Sequence, residues 1–237
     1  MRPTPTLRPL TSHADYAACV ALQRATWGDD FRELVPPAVL MVAEKTGGIA
    51  GGAFEADGSL VGFVFGLSGI ENGRPIHWSH MLAVRADRRD HGIGAQLKHW
   101  QADRLCALGI RAVYWTFDPL VARNAHFNFN TLGVTAREYV RDMYGSGDQS
   151  TTDSVIGSDR FVVQWEIGGR AEVRKGGTVR SVAIPADIQA LKQADPDGAR
   201  RWRTETRTAL EAAFAEGLTV TGFARTAEGG HYLLGPA

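Results

Sequence analysis

The run Arg89-Asp90-His91-Gly92-Ile93-Gly94 sets two glycines one residue apart at the end of a charged stretch. A helix opening there would present unpaired backbone N–H groups and a partial positive charge to an anion. Glycine removes the Cβ that would hold the anion away, and Arg88 or Arg89 could add a charge-assisted contact. The stretch is built like a pyrophosphate cradle, the alternative being a plain strand-to-helix turn. It lacks the Gly-Lys-Ser/Thr of a nucleotide P-loop and the third glycine of a dinucleotide fingerprint, so ATP and NAD fit less well. Upstream, His80 in "HWSHMLAV" is an imidazole that titrates near pH 6.5, at about the right point to take a proton from an amine directly or through water. The alternative for His80 is a hydrogen-bonded core histidine. His77 projects to the opposite face of a regular strand, so only one of the two lines a site unless a bulge intervenes.

These residues need a strand, a turn and a helix to hold them. "IHWSHMLAV" reads as the strand, and Ile93 to Leu108 as the helix, with Ile93, Leu97, Trp100, Leu105 and Leu108 inward and Gly109 as its stop. Before them come a strand at "TLRPLT", a helix from His13 to Trp27 capped by Ser12, with Tyr16, Val20, Ala21 and Trp27 inward, and a short helix opened by Pro36-Pro37. Strands "IAGGAFEA" and "SLVGFVFGLS" join at Asp57-Gly58 as a hairpin. After them come the strand "AVYWTFD", a helix from Leu120 to Leu132 ending at Gly133, and strands "VTAREYVRDMY" and "DRFVVQWEI" around the polar segment "GSGDQSTTDSVIGS". Antiparallel strands followed by a β-α-β unit predict a mixed α/β sheet. Past Gly168-Gly169 the text changes to a strand at Val179 to Ala183, a helix opened by Pro185, a long helix from Pro196 to Glu216 and a closing hairpin. In the long helix Ala199, Trp202, Leu210 and Phe214 face inward, and Arg200, Arg201, Arg203 and Arg207 read as a solvated face. The expected division is 1–167 and a small α/β extension over 168–237.

Composition narrows the partners. Lys plus Arg equals Asp plus Glu, 26 each, so no global field selects a polyanion and nucleic acid is not expected. "VLMVA" and "LVGFVFGL" fall far short of the roughly 20 apolar residues that span a bilayer, and "MRPTPTLRPL" lacks an apolar signal core, so the expectation is a cytoplasmic protein with no membrane partner. Cys19 and Cys106, each inside an expected helix, suit two buried reduced thiols. His91, His99 and His126 show no ligand spacing, and no metal is expected.

"MLAVRADRRDHGIGAQLK" resembles motif A of the GNAT acyltransferase superfamily, and "RNAHFNFNTLG" resembles its motif B helix. The resemblance covers roughly Leu7 to Glu166. "HWSHMLAV", "WTFDPL", "RNAHFN" and "DRFVVQWE" further resemble a bacterial subgroup that includes the acyltransferase partners of N-acylamino-acid racemases. The superfamily resemblance implies a largely antiparallel sheet with helices on both faces, splayed between the "HWSHMLAV" and "AVYWTFD" strands. Its co-substrate is an acyl-CoA, acetyl or succinyl. By the same resemblance Met81, Leu82, Ala83 and Val84 hold the pantetheine arm, Arg89, Asp90, His91, Gly92, Ile93, Gly94 and Ala95 hold the pyrophosphate, and Asn124 and Phe127 complete the cofactor site.

Acyl transfer to an amine needs a base, an oxyanion donor and a stable leaving thiolate. His80 is the expected base, at a place where "SHMLAV" resembles arylalkylamine N-acetyltransferases, and the N–H of Met81 or Leu82 the expected donor. Many GNAT enzymes carry a general-acid tyrosine where this chain has Phe129. A thiol with a pKa of about 8.5 can leave without one; Tyr139 and Tyr144 read first as core or surface tyrosines, with supply of the proton the lesser option. Asp118-Pro119 reads first as a strand end and helix start, with orientation of a histidine the lesser option, and Arg123 as a surface ion pair or a partner for a substrate carboxylate. The expected activity is N-acylation of a small amine, an amino acid first, with a non-catalytic acyl-CoA-binding protein as the alternative. The polar segment reads as a solvated loop, with a lid the lesser option, and the extension could cover the acceptor or build a homodimer.

Overall fold

The computed structural model describes residues 4–145, 156–169, 177–226 and 228–236. The chain packs as two compact units, Met1–Tyr114 with Glu166–Gly169, and Trp115–Trp165 with Arg170–Ala237.

In the first unit β1 (Thr6–Pro9) leads to α1 (His13–Trp27) and α2 (Pro37–Lys45), then to β2 (Ile49–Phe54), β3 (Leu60–Glu71), β4 (Arg74–Val84), a 3-10 turn (Ala86–Arg88), α3 (Ile93–Ala107) and the start of β5 (Ala112–Phe117). Ser12 caps α1 by accepting the Asp15 N–H at 3.1 Å, and the Asp15 carboxylate accepts the Ser12 N–H at 3.1 Å. Strands β1-β2-β3-β4 pair antiparallel in that order, and β5 joins β4 in parallel after the α3 crossover. Asn72 and Gly73, with φ of 50° and 75°, close the β3–β4 hairpin. This is the Asn-Gly turn that matches strand twist.

Helices cover both faces. Leu10, Tyr16, Leu40, Phe63, Phe65, Met81 and Ala83 form a buried core on the α1–α2 side. On the other side Ile93 and Leu97 of α3 close over Gly62. Tyr16, Cys19, Leu22 and Gln23 make the inner stripe of α1, so Ala21 and Trp27 are exposed rather than inward. In α3 the stripe is Ile93, Leu97, Gln101 and Leu105, with Lys98 beside it; Leu108 lies past the last turn and is exposed. Cys19 is buried and Cys106 only partly so.

The second unit holds the end of β5, α4 (Ala122–Ala125) running into a π-helical turn (His126–Leu132), β6 (Thr135–Val140), β7 (Arg160–Glu166), β8 (Arg180–Pro185), α5 (Ile188–Ala194), α6 (Pro196–Ala215), β9 (Leu218–Thr226) and β10 (Gly229–Pro236). Its strands run β5-β7-β6 in one sheet and β8-β10-β9, antiparallel, in a second. Strands β1 to β7 give the mixed, largely antiparallel architecture expected of the sequence.

Two helix starts differ from expectation. Pro185 ends β8 instead of opening α5, which begins where the Asp187 carboxylate accepts the N–H groups of Gln189 and Ala190 at 2.9 and 3.0 Å. The helix expected from Leu120 begins at Ala122, and its second half is wound as a π-helix. The C-terminal residues share a core with the rest of this unit: the rings of Phe117, Phe129, Phe161 and Tyr232 meet edge-on or tilted, with centroids 5.2 to 6.2 Å apart. Most of the polar segment read as a solvated loop or a lid, residues 146–155, lies outside the described residues.

Candidate functional site

Strand β4 is not regular. Phe65 pairs with Met81, but the next residue of β3, Gly66, pairs with Ser79, so His80 is the extra residue of a β-bulge. The bulge resets the alternation of side chains. Met81 and Ala83 enter the core of α1 and α2, whereas Ser79 and His77 reach Lys98 and Gln101 of α3. His80 turns from His77, its ring edge-on to Phe65 at 6.1 Å between centroids. Its side chain reaches solvent. The surrounding protein still removes enough water to lower its pKa below the ordinary value, against the opposing pull of Glu33.

The main chain beyond the bulge has a free side. Arg85 N–H donates to Val61 O at 2.8 Å, which fixes the alternation: Met81 and Ala83 direct their main-chain groups at β3, and Leu82 and Val84 direct theirs away from it. The pairing of β4 with β5 covers Ile76, His77 and Trp78 against Ala112, Val113 and Tyr114, short of Leu82.

The turn into α3 is built from positive φ angles, 63° at Asp90 and 76° at Gly92. Asp tolerates this region, and Gly adopts it without cost. Gly92 is the N-cap residue, and no side chain caps the helix, so the first N–H groups of Ile93, Gly94 and Ala95 have no side-chain acceptor. The Ile93 side chain is buried, leaving only its main chain for a ligand. Arg89 donates from Nε to Val84 O at 3.1 Å, and His91 Nδ1 turns back to Arg89 O at 2.6 Å. Arg88, the other expected phosphate contact, is buried in an ion pair with Glu55 and serves the fold.

In the second unit Asn124 and Phe127 are half-buried, one on α4 and the other on the π-helical turn, and Arg123 is exposed. The π-helical winding brings Asn128 inward, where its Oδ1 accepts the Trp115 Nε1–H at 3.0 Å.

No family model and no curated protein matches the chain. Solved structures do. A GNAT superfamily phosphinothricin acetyltransferase from Sinorhizobium meliloti in complex with AcCoA aligns over 72% of this chain and 92% of its own, with TM-score 0.56 and 16% identity. The ribosomal-protein-S18-alanine N-acetyltransferase of Escherichia coli aligns over 70% and 96%, with TM-score 0.52 and 15% identity. The NatC complex bound to Gag peptide and CoA aligns over 70% and 99%, with TM-score 0.56 and 15% identity.

The chain has the GNAT fold.

Within that fold the hydroxyls of Tyr139, Tyr144 and Tyr232 already have partners. Phe129 is buried among Phe117, Phe161 and Tyr232. Tyr139 donates its hydroxyl to Asp159, and burial raises its pKa above the ordinary tyrosine value, which removes it as a ready acid. Tyr144 bonds Thr116 Oγ1 at 2.9 Å. Buried Tyr232 donates to Pro119 O at 2.6 Å. Asp118 orients no histidine: both of its oxygens accept from Arg203 Nη2 at 2.8 Å, and Oδ1 also accepts the Leu120 N–H. Arg203 and Arg207 therefore leave the solvated face expected of them, since Arg207 binds Asp159 and Asp142. Sequence reasoning also missed Lys98, Gln101 and Ser79, all buried. The signal available was a lysine and a glutamine three residues apart on the inner stripe of α3.

Among the described residues no three His, Cys, Asp or Glu side chains converge as a metal-ligand set. No helix of the described chain is long and apolar enough to cross a membrane.

Proposed function

We propose that the chain is a CoA-dependent N-acyltransferase that moves an acetyl or succinyl group to the amine of a small molecule, an amino acid being the first candidate, with residues 1–167 as the acyl-CoA-binding portion. The observation that carries this reading is the outward-facing main chain of Leu82 and Val84 beside an α3 start with no side-chain cap. An extended pantetheine arm would pair with the first, and a pyrophosphate would take the N–H groups of the second. The Val84 carbonyl already accepts Arg89, so the Leu82 carbonyl and the Val84 N–H are the groups left to the arm. Asn124 and Phe127 enter the proposal through the motif B resemblance. Solved neighbours holding CoA or AcCoA support the choice of co-substrate.

In the reaction the neutral amine attacks the thioester carbonyl, forming the C–N bond. His80, kept neutral near pH 7 by its lowered pKa, accepts the ammonium proton directly or through water. The Leu82 N–H serves the oxyanion, because that of Met81 points at β3. The C–S bond then breaks and CoA leaves as thiolate, with a conjugate-acid pKa of about 8.5 that needs no tyrosine. The test is thiol release from acetyl-CoA and succinyl-CoA against D- and L-amino acids and polyamines. His80→Ala should lower kcat about 100-fold or more, with an acidic limb in the wild-type pH profile below about pH 6.5. Phe129 favours one rival, a binding module without turnover: calorimetric acyl-CoA binding with no product would select it. Absence of any melting-temperature rise at saturating CoA would remove both readings.

A further inference from the structure

Buried polar groups form one hydrogen-bonded line on the α3 side of β4. Lys98 Nζ donates to Ser79 Oγ at 2.9 Å and to Gln101 Oε1 at 3.1 Å, and Ser79 Oγ donates to the same Oε1 at 3.0 Å. Gln101 Nε2 lies 3.0 Å from His77 Nε2, His77 Nδ1 lies 3.0 Å from Ser68 Oγ, and Ser68 Oγ donates to Gly47 O at 2.6 Å. Each direction follows from its neighbour. The Gln101 oxygen takes the Lys98 and Ser79 donors, so its amide nitrogen faces His77. Ser68 spends its one proton on Gly47 O, so His77 must donate from Nδ1 and accept at Nε2. The line runs from the Lys98 amine to the Gly47 carbonyl with each of these bonds oriented.

The line grips one side of the bulge. Ser79 immediately precedes His80, while Met81 to Val84 on the other side are held by β3. Across from it Gly66 leaves no room for error: a Cβ there would lie 2.3 Å from His77 Nε2 and 2.5 Å from the Trp78 carbonyl. We infer that Lys98, Gln101, Ser79 and His77 are positioning residues that set the bulge, and through it the aim of His80 and of the Leu82 N–H. The inference rests on the acyltransferase reading for its catalytic meaning, but not for its geometry. Burial, with the nearby Lys98 charge, pushes the His77 pKa down to about 3, in keeping with a ring held neutral in one tautomer.

Gln101→Glu tests it with little change of shape. Its two oxygens only accept, so His77 must present Nε2–H. Nitrogen NMR of the imidazole should show Nδ1–H alone in the wild type and Nε2–H in the variant; Nε2–H already in the wild type overturns the inference. With the tautomer changed, kcat should fall tenfold or more while KM for acyl-CoA stays within twofold. Amide exchange at Met81 and Leu82 should speed about tenfold. A variant that loses stability but keeps kcat and these exchange rates would make the line purely structural and overturn the inference. A wild type that turns over no acyl-CoA defeats the acyltransferase reading instead, and the exchange rates then still decide whether the line sets the bulge. Should Gln101→Glu fail to fold, Ser68→Ala at the half-buried end frees the same tautomer, with a two- to fivefold drop in kcat expected and no change overturning the inference.

Discussion

The two units each bury a polar network, and they solve the problem of burial in opposite ways. In the first unit one lysine feeds a file of neutral groups, Ser79, Gln101, His77 and Ser68, each able to satisfy the next in one orientation only. In the second, charges are set against charges: Arg203 on Asp118, Arg207 on Asp159 and Asp142, with Tyr139 adding its hydroxyl to Asp159. Ion pairs hold through Coulomb attraction in a poorly solvated place and tolerate angular error, whereas neutral bonds depend on direction. The directional network lies against the bulged strand that carries His80. The ionic one joins α6 of the C-terminal residues to the end of β5 and the strands beside it. The difference suggests aim in one place and attachment in the other.

The largest break should come from the ionic side. Arg203→Met leaves Asp118 buried with only the Leu120 N–H, and loss of one partner of a buried pair costs about 3–5 kcal/mol. Urea unfolding should show that loss, and adding Asp118→Leu should restore most of it, because the stranded charge then goes too. A double variant no better than the single would mean that the pair itself, not the stranded charge, carries the stability.

Acid should separate the two networks next. A histidine whose pKa is depressed on folding binds its proton more readily when unfolded, so its stabilising contribution is complete above the unfolded value of about 6.5 and is lost as pH falls toward the folded value of about 3. The slope is about 1.4 kcal/mol per pH unit inside that window. On the ionic side burial raises the Asp159 pKa, but bonds from Arg207 and Tyr139, the Asp142 N–H and the charge of Arg203 outweigh it and hold the carboxyl below its ordinary value. Its contribution is therefore present above about pH 3.9 and fades only below it. From pH 7 to 4.5 the protection of amides in β4 and α3, referred to the intrinsic exchange rate at each pH, should fall first, and His77→Gln should flatten that dependence. An equal fall of protection in α6 over the same range would contradict the contrast.

Most of the frame was legible because it rests on local signals. The Ser12 cap, the Asp57-Gly58 turn, the α3 start at Ile93 and its end near Gly109 all follow from residues within a turn of the feature. The phosphate-like turn was legible for the same reason. What escaped depends on contacts between residues far apart in sequence. Arg203 and Arg207 look like surface charge until Asp118 and Asp159, 85 and 48 residues away, are brought to them. The bulge at His80 is invisible in "HWSHMLAV" itself, because it is defined by which residue of β3 stands opposite. Phe129 reads in the sequence as a ring in place of a tyrosine, and the aromatic core around it gives a packing reason for that ring.

The smallest test probes what the C-terminal residues contribute. Tyr232 is fully buried, touches Phe129, Phe161 and Phe223, and spends its hydroxyl on Pro119 O, next to Asp118 and three residues before Ala122 opens α4. Tyr232→Phe keeps the ring and its area and removes only the donor. A neutral hydrogen bond is worth about 0.5–1.5 kcal/mol net, so unfolding should show a loss at the upper end of that range, since the Pro119 carbonyl is left buried. If the bond also fixes the turn leading to Asn124, acyl-CoA affinity should weaken two- to threefold while the pH dependence assigned to His80 stays where it was. Loss of stability with unchanged affinity would limit Tyr232 to packing. A shifted pH profile would show that attachment in the second unit and aim in the first are not separate after all.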